Sequence, residues 1–217
     1  MKTGTKAADL IYPPRCFACG KLLLRNEETV CGECVKKGKA RAGLHSVEAS
    51  FVTRGTAPFI YREEIREVVR AFKFKRAMWL FRPAADFMLR AFREAELEAD
   101  VITYVPMRPW EKEKRGYNQS RILAQLLARR TGIPFVRALK KVKRTRTQSK
   151  LRESERRANV FGAYACRLKE KIGGKTVLLV DDVVTTGSTV SENARVLLMA
   201  GAKAVNVLVL AKTVMDE

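Results

Sequence analysis

The sequence predicts an α/β fold in which a central, mostly parallel sheet is flanked by helices. Two apolar runs of strand length, 101–105 and 177–180, are each followed by a polar loop and then by a segment with one apolar helical face. Repeated strand–loop–helix units are typical of parallel sheets, which bind ligands beyond the carboxyl ends of their strands. Both loops are therefore candidate binding segments.

A small zinc module is predicted ahead of this fold, over residues 1–45. Two Cys-x-x-Cys pairs can hold one Zn²⁺ tetrahedrally through four thiolates, namely those of Cys16, Cys19, Cys31 and Cys34. A disulfide scaffold and a redox pair are the alternatives, but a cytosolic chain disfavours the first and the paired spacing disfavours the second. A four-cysteine site is closed, so we expect the metal to be structural. Cys166 is expected to be an ordinary thiol.

Residues 46–100 are predicted to contain a strand or hairpin and two helices. The strand or hairpin lies between Ser50 and Tyr61 and is interrupted at Pro58. Apolar residues at helical spacing indicate a helix around 61–72, which ends in the basic run 73–76. A second helix is predicted from about Pro83 to about Ala99. The basic run is most simply a helix terminus that complements the helix dipole.

The segment 101–136 repeats the strand–loop–helix pattern with a cationic loop. Pro106 closes the strand, and Asn118 or Ser120 is expected to cap the following helix, which ends at Thr131–Gly132. A further strand is predicted at 134–136. The loop between strand and helix contains Arg108 and Arg115, so it suits an anionic ligand.

A basic stretch follows at 137–157. Seven of the residues 140–152 are Lys or Arg and none is acidic. Such a stretch repels itself and should be mobile without an anion. It is interpreted as a lid over a polyphosphate, as a solvated basic loop, or as a nonspecific nucleic-acid patch. A short strand at 164–168 and the turn Gly173–Gly174 then lead to the strand 177–180.

The strand 177–180 ends in two acids and a small hydroxyl-rich loop. Asp181 and Asp182 can accept hydrogen bonds from a pair of neighbouring hydroxyls, such as a ribose diol. The loop Thr185–Thr189 precedes a helix, whose free N–H groups and dipole favour an anion, and Gly187 permits close approach. Thr189 and Glu192 have capping-box spacing, Gly201 ends the helix, and a last strand is predicted at 205–210. The alternative is a strand end with solvated acids.

The overall charge indicates polyanionic partners. The formal net charge is +20 over 217 residues, and residues 108–157 contain 17 Lys or Arg against 4 Glu. No run is long and apolar enough for a membrane span or a signal peptide, so we expect a soluble, cytoplasmic protein without membrane insertion. His45 is the only histidine; it could be a ligand or a base, but a loop residue at the boundary of the zinc module is favoured, so most hydrolase mechanisms built on a histidine base are excluded.

The run 177–189 closely resembles the 5-phosphoribosyl-1-pyrophosphate (PRPP) signature of the type I phosphoribosyltransferases. The resemblance implies that Asp181 and Asp182 hold the ribose hydroxyls and that the loop wraps the 5-phosphate. The PRPP-binding residues it implies are Asp181, Asp182, Val183, Thr185, Thr186, Gly187, Ser188 and Thr189.

Nearly the whole chain resembles the ComF family of phosphoribosyltransferase-like proteins. The motifs that carry this resemblance are the paired cysteines, Tyr61…Lys73, Val105-Pro106…Arg115-Gly116-Tyr117-Asn118-Gln119, Gln148…Arg156…Asn159-Val160, and Asp181-Asp182…Thr185-Thr186-Gly187…Thr189. Tyr117 stands where the family more usually has Phe, a change expected to be tolerated.

The family resemblance implies a type I phosphoribosyltransferase fold over 46–217. Its hood and N-terminal helices would span 46–100, and its PRPP-binding core would span 101–217. Mg²⁺ would bridge pyrophosphate and ribose oxygens, and the family is linked to natural transformation. The implied pyrophosphate and lid residues are Lys73, Arg108, Arg115, Asn118, Gln119, Gln148 and Arg156.

Two functions follow from the sequence. The first is Mg²⁺-dependent transfer of a phosphoribosyl group to an unidentified acceptor, with Asp181, Asp182 and Arg115 as catalytic residues. The second is a non-catalytic PRPP sensor or a single-stranded DNA-binding protein that uses the basic surface and the zinc module, together with competence proteins as partners. Trp110 and Tyr117 lie among cations and are either base-stacking or packing residues.

Overall fold

The structure is a computed structural model that describes residues 13–24, 26–74, 77–108, 113, 115–143 and 160–214. Within these residues the helices are α1 (Gly32–Lys36), α2 (Glu63–Phe74), α3 (Phe81–Glu94), α4 (Gln119–Thr131), α5 (Lys169–Ile172) and α6 (Ser188–Met199). The strands are β1 (His45–Ser46), β2 (Arg54–Ala57), β3 (Phe59–Ile60), β4 (Val101–Tyr104), β5 (Leu139–Lys141), β6 (Tyr164–Cys166), β7 (Thr176–Val184) and β8 (Ala204–Lys212).

Six strands form one mostly parallel sheet, as the sequence predicts. The order is β1-β2-β8-β7-β4, and β3 pairs with β8 further along the same edge as β2. Pro58 separates β2 from β3, since it has no N–H to donate to the ladder. Only the β1–β2 pairing is antiparallel in the described part of this sheet. Strands β5 and β6 form a separate antiparallel pair.

Helices cover both faces of the sheet, and the side chains of β7 alternate between them. Leu178 and Val180 pack in a core with α2, α3 and α4, while Val177 and Leu179 pack in a second core with α6. All four are at most 1% exposed. Burying one large apolar side chain stabilises the fold by about 2 kcal/mol, and this contribution holds such a strand between two layers. The fold therefore fixes β7 at the centre and presents its carboxyl end to solvent.

The cysteine module packs against the first of these cores through one aromatic residue. The ring of Phe17 lies 5.5 Å from that of Phe59 and 5.2 Å from that of Phe87, measured between ring centres. Phe17 is 1% exposed, so the module is joined to the main domain by a buried contact. The two parts share one hydrophobic core.

Three details of the predicted elements are wrong. Helix α3 ends at Glu94, five residues before the predicted end, and residues 134–136 form a single parallel bridge, between Ile102 and Phe135, with no longer strand. The capping box does not form, because α6 begins at Ser188 with Gly187 as its N-cap, which places Thr189 inside the helix. The Glu192 carboxylate accepts from the Gly162 N–H and pairs with Arg195 instead. Asn118 does cap α4, as predicted, by accepting from the Arg121 N–H.

Among the described residues, none of the helices combines the length and the apolar character that crossing a membrane requires.

Candidate functional site

The carboxyl end of β7 opens into a cavity of about 370 Å³. Strand β7 runs through both aspartates to Val184, the loop 185–187 turns away, and α6 begins at Ser188. Gly187 precedes the helix with φ +72°, a conformation that favours glycine. A Cβ at this position would stand 3.3 Å from the Ala49 Cβ, so the loop lies directly against the 48–50 segment. Thr186 Oγ1 and Ser188 Oγ share a hydrogen bond of 2.9 Å at this turn.

The two aspartates lie side by side in the wall of this cavity. Asp181 is 8% exposed, and its Oδ1 accepts from Ser120 Oγ at 2.7 Å and from the Asp182 N–H at 2.9 Å. Asp182 Oδ1 accepts from the Val183 N–H at 2.8 Å, and its Oδ2 lies 3.1 Å from Lys73 Nζ. Both carboxylates are thus oriented by backbone donors within their own strand.

Burial and the adjacent charge perturb these groups. Burial, followed by the neighbouring Asp182 carboxylate, raises the pKa of Asp181 to about 7, although Ser120 and Lys73 oppose the shift. The Asp182 carboxylate raises the pKa of Lys73. Asp181 is therefore partly protonated near neutral pH, while Asp182 is paired with the Lys73 ammonium group.

Polar residues from the β4–α4 segment line the cavity beside the acids. Asn118 Nδ2 donates to the Val105 carbonyl at 3.1 Å and so fixes the end of this segment to β4. Arg115, Asn118 and Gln119 all line the cavity. Gln119 is 3% exposed, and within the described residues its Nε2 is a buried donor without a hydrogen-bond partner. An unsatisfied donor here suits an anionic or carbonyl ligand.

Tyr117 is a packing residue between the two segments of the site. Its hydroxyl donates to the Phe72 carbonyl, next to Lys73, and its ring lies edge-on to Phe81 at 5.6 Å. The hydroxyl absent from Phe thus links the β4–α4 segment to helix α2. The base-stacking interpretation of Tyr117 finds no support in this arrangement.

The structure brings together most of the residues predicted for the site. The predicted residues that line the cavity are Lys73, Arg115, Asn118, Gln119, Asp181, Asp182, Val183, Thr185, Thr186, Gly187, Ser188 and Thr189. Arg108 is buried and lies outside the lining of this cavity within the described part of the chain. Gln148, Arg156 and Trp110 lie outside the described residues, as does most of the predicted lid.

Four further polar residues of the cavity wall were not predicted as site residues. They are Tyr61, Ser120, Lys141 and Tyr164. The sequence indicates Ser120 only as a helix cap, because its contact with Asp181 joins residues 61 positions apart. Lys141 stands in β5 opposite Tyr164 in β6, a pairing that the short, weakly patterned strands did not reveal.

The four cysteines of the N-terminal module converge on one point. Their sulfur atoms all lie within 4.8 Å of one another, and Cys19 Sγ is 3.7 Å from Cys31 Sγ. Sulfur atoms around a tetrahedral zinc ion are about 3.8 Å apart, given Zn–S bonds of about 2.3 Å. The donor set and its spacing therefore fit zinc.

Hydrogen bonds and burial act in opposite directions on these thiols. Burial disfavours the Cys16 thiolate, but backbone N–H groups, first that of Cys31, lower its pKa to about 7. Burial raises the pKa of Cys34. The thiolate form of Cys34 therefore needs a nearby cation, and a bound metal ion would supply that charge.

Comparisons with known proteins match both parts of the chain. Residues 7–43 match the family described as "Double zinc ribbon domain", and residues 113–215 match "Phosphoribosyl transferase domain". Competence protein F of Haemophilus influenzae is 31% identical over 92% of this chain and 85% of its own length. The DNA utilization protein YhgH of Salmonella typhimurium is 34% identical over 91% of this chain and 84% of its own length. Competence protein ComFC of Bacillus subtilis is 24% identical over 87% of this chain and 80% of its own length.

Proposed function

Because the chain belongs to the ComF family, which includes competence protein F, and has a type I phosphoribosyltransferase fold behind a four-cysteine zinc ribbon, we propose that it binds PRPP with Mg²⁺ and transfers the phosphoribosyl group. One observation carries the proposal. The acid pair, the hydroxyl-glycine loop and Arg115 all line a single cavity at the carboxyl end of the central strand.

Each part of PRPP has a counterpart in this cavity. The carboxylates of Asp181 and Asp182 would accept from the ribose 2′ and 3′ hydroxyls, because ionised carboxylates only accept hydrogen bonds. The loop around Gly187 would hold the 5-phosphate with backbone N–H groups and hydroxyls at the start of α6. Arg115 and the buried amide of Gln119 would face the pyrophosphate.

Transfer requires positioning and charge stabilisation rather than a protein nucleophile. The C1–O bond breaks with its electron pair leaving on pyrophosphate, and a lone pair of the acceptor forms the new bond to C1. Arg115 would stabilise the leaving negative charge, and the acid pair would stabilise positive charge on the ribose ring. Asp181 and Asp182 offer the oxygen ligands that Mg²⁺ prefers, and Mg²⁺ would neutralise charge on the leaving pyrophosphate.

The zinc ribbon has a structural part in this proposal. Zinc held by Cys16, Cys19, Cys31 and Cys34 would stabilise the module that carries Phe17 into the core. A four-thiolate site leaves no open coordination position, so we assign the metal no catalytic part. A cytoplasmic location belongs to the same proposal, because thiolate ligands must stay reduced.

Binding without turnover is the second candidate. The net charge of +20 favours a polyanionic partner, and the relatives named for competence and DNA utilization favour DNA. The family resemblance implies the single-stranded form. In that case the phosphoribosyltransferase site would act as a PRPP sensor and competence proteins would be partners. The pyrophosphate and lid roles of Arg108, Gln148 and Arg156 remain predictions in either case.

A turnover assay distinguishes the two candidates. Release of pyrophosphate from Mg²⁺-PRPP is followed in the presence of purine bases, pyrimidine bases and single-stranded oligonucleotides. Acceptor-dependent release that is lost on Asp181→Asn with Asp182→Asn supports transfer. Asp100→Asn, outside the cavity, is the matched control. PRPP binding with no release under any acceptor would leave the sensor function and overturn the transferase.

A further inference from the structure

A second cavity lies on the other side of the hydroxyl-glycine loop. Its volume is about 570 Å³, and its wall includes Phe51, Phe161, Thr186, Ser188 and Arg195. Thr186 and Ser188 also line the candidate site, so the two cavities share this loop as a common wall. A ligand whose phosphate is held by the loop would therefore have room on both sides of that phosphate.

Two exposed phenylalanines distinguish this second cavity. Phe51 is 53% exposed and Phe161 is 64% exposed, although both belong to a residue type that is usually buried. Phe51 also has φ +66°, a strained conformation for a bulky residue, so the turn holds its ring at a backbone cost. The Arg195 guanidinium lies 4.8 Å from the centre of the Phe161 ring. These groups form a surface suited to a planar, π-bearing ligand.

The buried acid beside this surface is neutralised by an arginine, so it would not repel a phosphate ester. The Glu192 carboxylate is 5% exposed, pairs with Arg195 at 2.8 Å and accepts from the Gly162 N–H at 2.7 Å. This network also fixes the backbone next to Phe161. Glu48 is an exposed acid at the rim, where solvent screens its charge.

Resting on the proposed function, we propose that the second cavity binds a nucleobase of a single-stranded RNA whose 3′-terminal nucleotide occupies the candidate site. The terminal ribose would present its free diol to Asp181 and Asp182. The loop would hold the phosphodiester 5′ of that ribose, and the base of the preceding nucleotide would stack on Phe51 and Phe161. The cavity wall itself has two acids and one arginine, but the whole chain has a net charge of +20, which attracts a polyanionic strand more strongly than a small dinucleotide.

The test measures the affinity for a short oligoribonucleotide, labelled at its 5′ end, by fluorescence anisotropy. A strand with a free 3′ diol should bind about tenfold more tightly than the same strand with a 3′-phosphate. Phe161→Ala should weaken binding of the free-diol strand about tenfold, the typical effect of losing one stacked base. Phe51→Ala is a second variant, and Phe74→Ala, an exposed phenylalanine outside both cavities, is the matched control.

Binding of ribose 5-phosphate, measured by calorimetry on the same variants, separates this inference from the proposed function. Unchanged ribose 5-phosphate affinity in Phe161→Ala, combined with weaker strand binding, supports the second site. The inference is overturned if the wild type binds the free-diol strand and the 3′-phosphate strand with equal affinity, even if ribose 5-phosphate binds. It is also overturned if Phe161→Ala and the wild type bind the free-diol strand equally well. Binding of ADP-ribose that depends on Phe161, without binding of the strand, would instead assign the cavity to a dinucleotide. If the wild type does not bind ribose 5-phosphate, the proposed function itself is contradicted.

Discussion

Replacing Asp181 by Asn should stabilise the ligand-free protein, and the gain should grow as the pH rises from about 4 to about 7. Asp181 is 8% exposed beside a second carboxylate, and burial together with Asp182 raises its pKa to about 7 from the usual 3.8. Below pH 4 the group is protonated in both the folded and the unfolded chain. Between these values the unfolded chain loses its proton first, so wild-type stability falls with rising pH.

The size of the effect follows from the difference between the two pKa values. A difference of about three pH units corresponds to a ceiling of about 4 kcal/mol in the free energy of unfolding. The measured gain should be smaller, about 1–2 kcal/mol above pH 7, because a neutral amide oxygen accepts the hydrogen bonds from Ser120 and from the Asp182 N–H less strongly than a carboxylate does. Asn can still accept the hydrogen bond from Ser120, so the substitution removes the charge with little change in packing.

Urea unfolding of wild type and Asp181→Asn at several pH values between 5 and 8 measures this gain. Release of zinc from the cysteine module at low pH affects both proteins equally, so the difference between their free energies of unfolding is the quantity to compare. Asp100→Asn is the control, since Asp100 lies outside the cavity and accepts from the Thr176 N–H. A difference between wild type and Asp181→Asn that stays constant over this pH range would refute the reasoning.

Three further predictions address local contacts. Tyr117→Phe should lower the free energy of unfolding by about 1 kcal/mol, because it removes the bond to the Phe72 carbonyl; an unchanged urea midpoint would contradict that bond. Gly187→Ala should destabilise by about 1–2 kcal/mol more than Gly132→Ala, since both have positive φ but only Gly187 approaches Ala49; equal losses in thermal unfolding would argue against this close approach. A chelator should release about one zinc ion per chain and lower the melting temperature, and an unaffected melting curve would count against structural zinc.

The local features of the site were predictable from the sequence. The apolar run 177–180 indicates a strand buried on both faces, and the structure confirms that strand. Its predicted end before the acids is wrong, since the strand has nine residues and continues through both aspartates to Val184. Gly187 at the turn and Asn118 at the cap of α4 also follow from short-range chemistry. Similarly, the spacing of the four cysteines alone predicts the cluster that the structure contains.

Contacts between distant segments were not predictable in the same way. The ion pair of Lys73 with Asp182 depends on how α2 packs over the sheet, and the sequence shows only a basic helix terminus. Glu192 has the spacing of a capping box, yet Arg195 and the Gly162 N–H satisfy its carboxylate instead. The distant partners are Lys73 for Asp182 and the Gly162 N–H for Glu192, whereas Arg195 lies three residues from Glu192 in the same helix. A carboxylate with little exposure is stabilised most by a cation and a backbone donor, wherever in the chain these lie.

Calorimetric titration of the zinc-loaded protein with Mg²⁺-PRPP is the most direct test of the site. The wild type should bind PRPP at one site per chain, and the affinity should increase as the pH rises through about 7, when Asp181 loses its proton. The variant with Asp181→Asn and Asp182→Asn should keep its fold and lose this binding. Equal affinity of wild type and the double variant for PRPP would show that the acid pair does not hold the ribose.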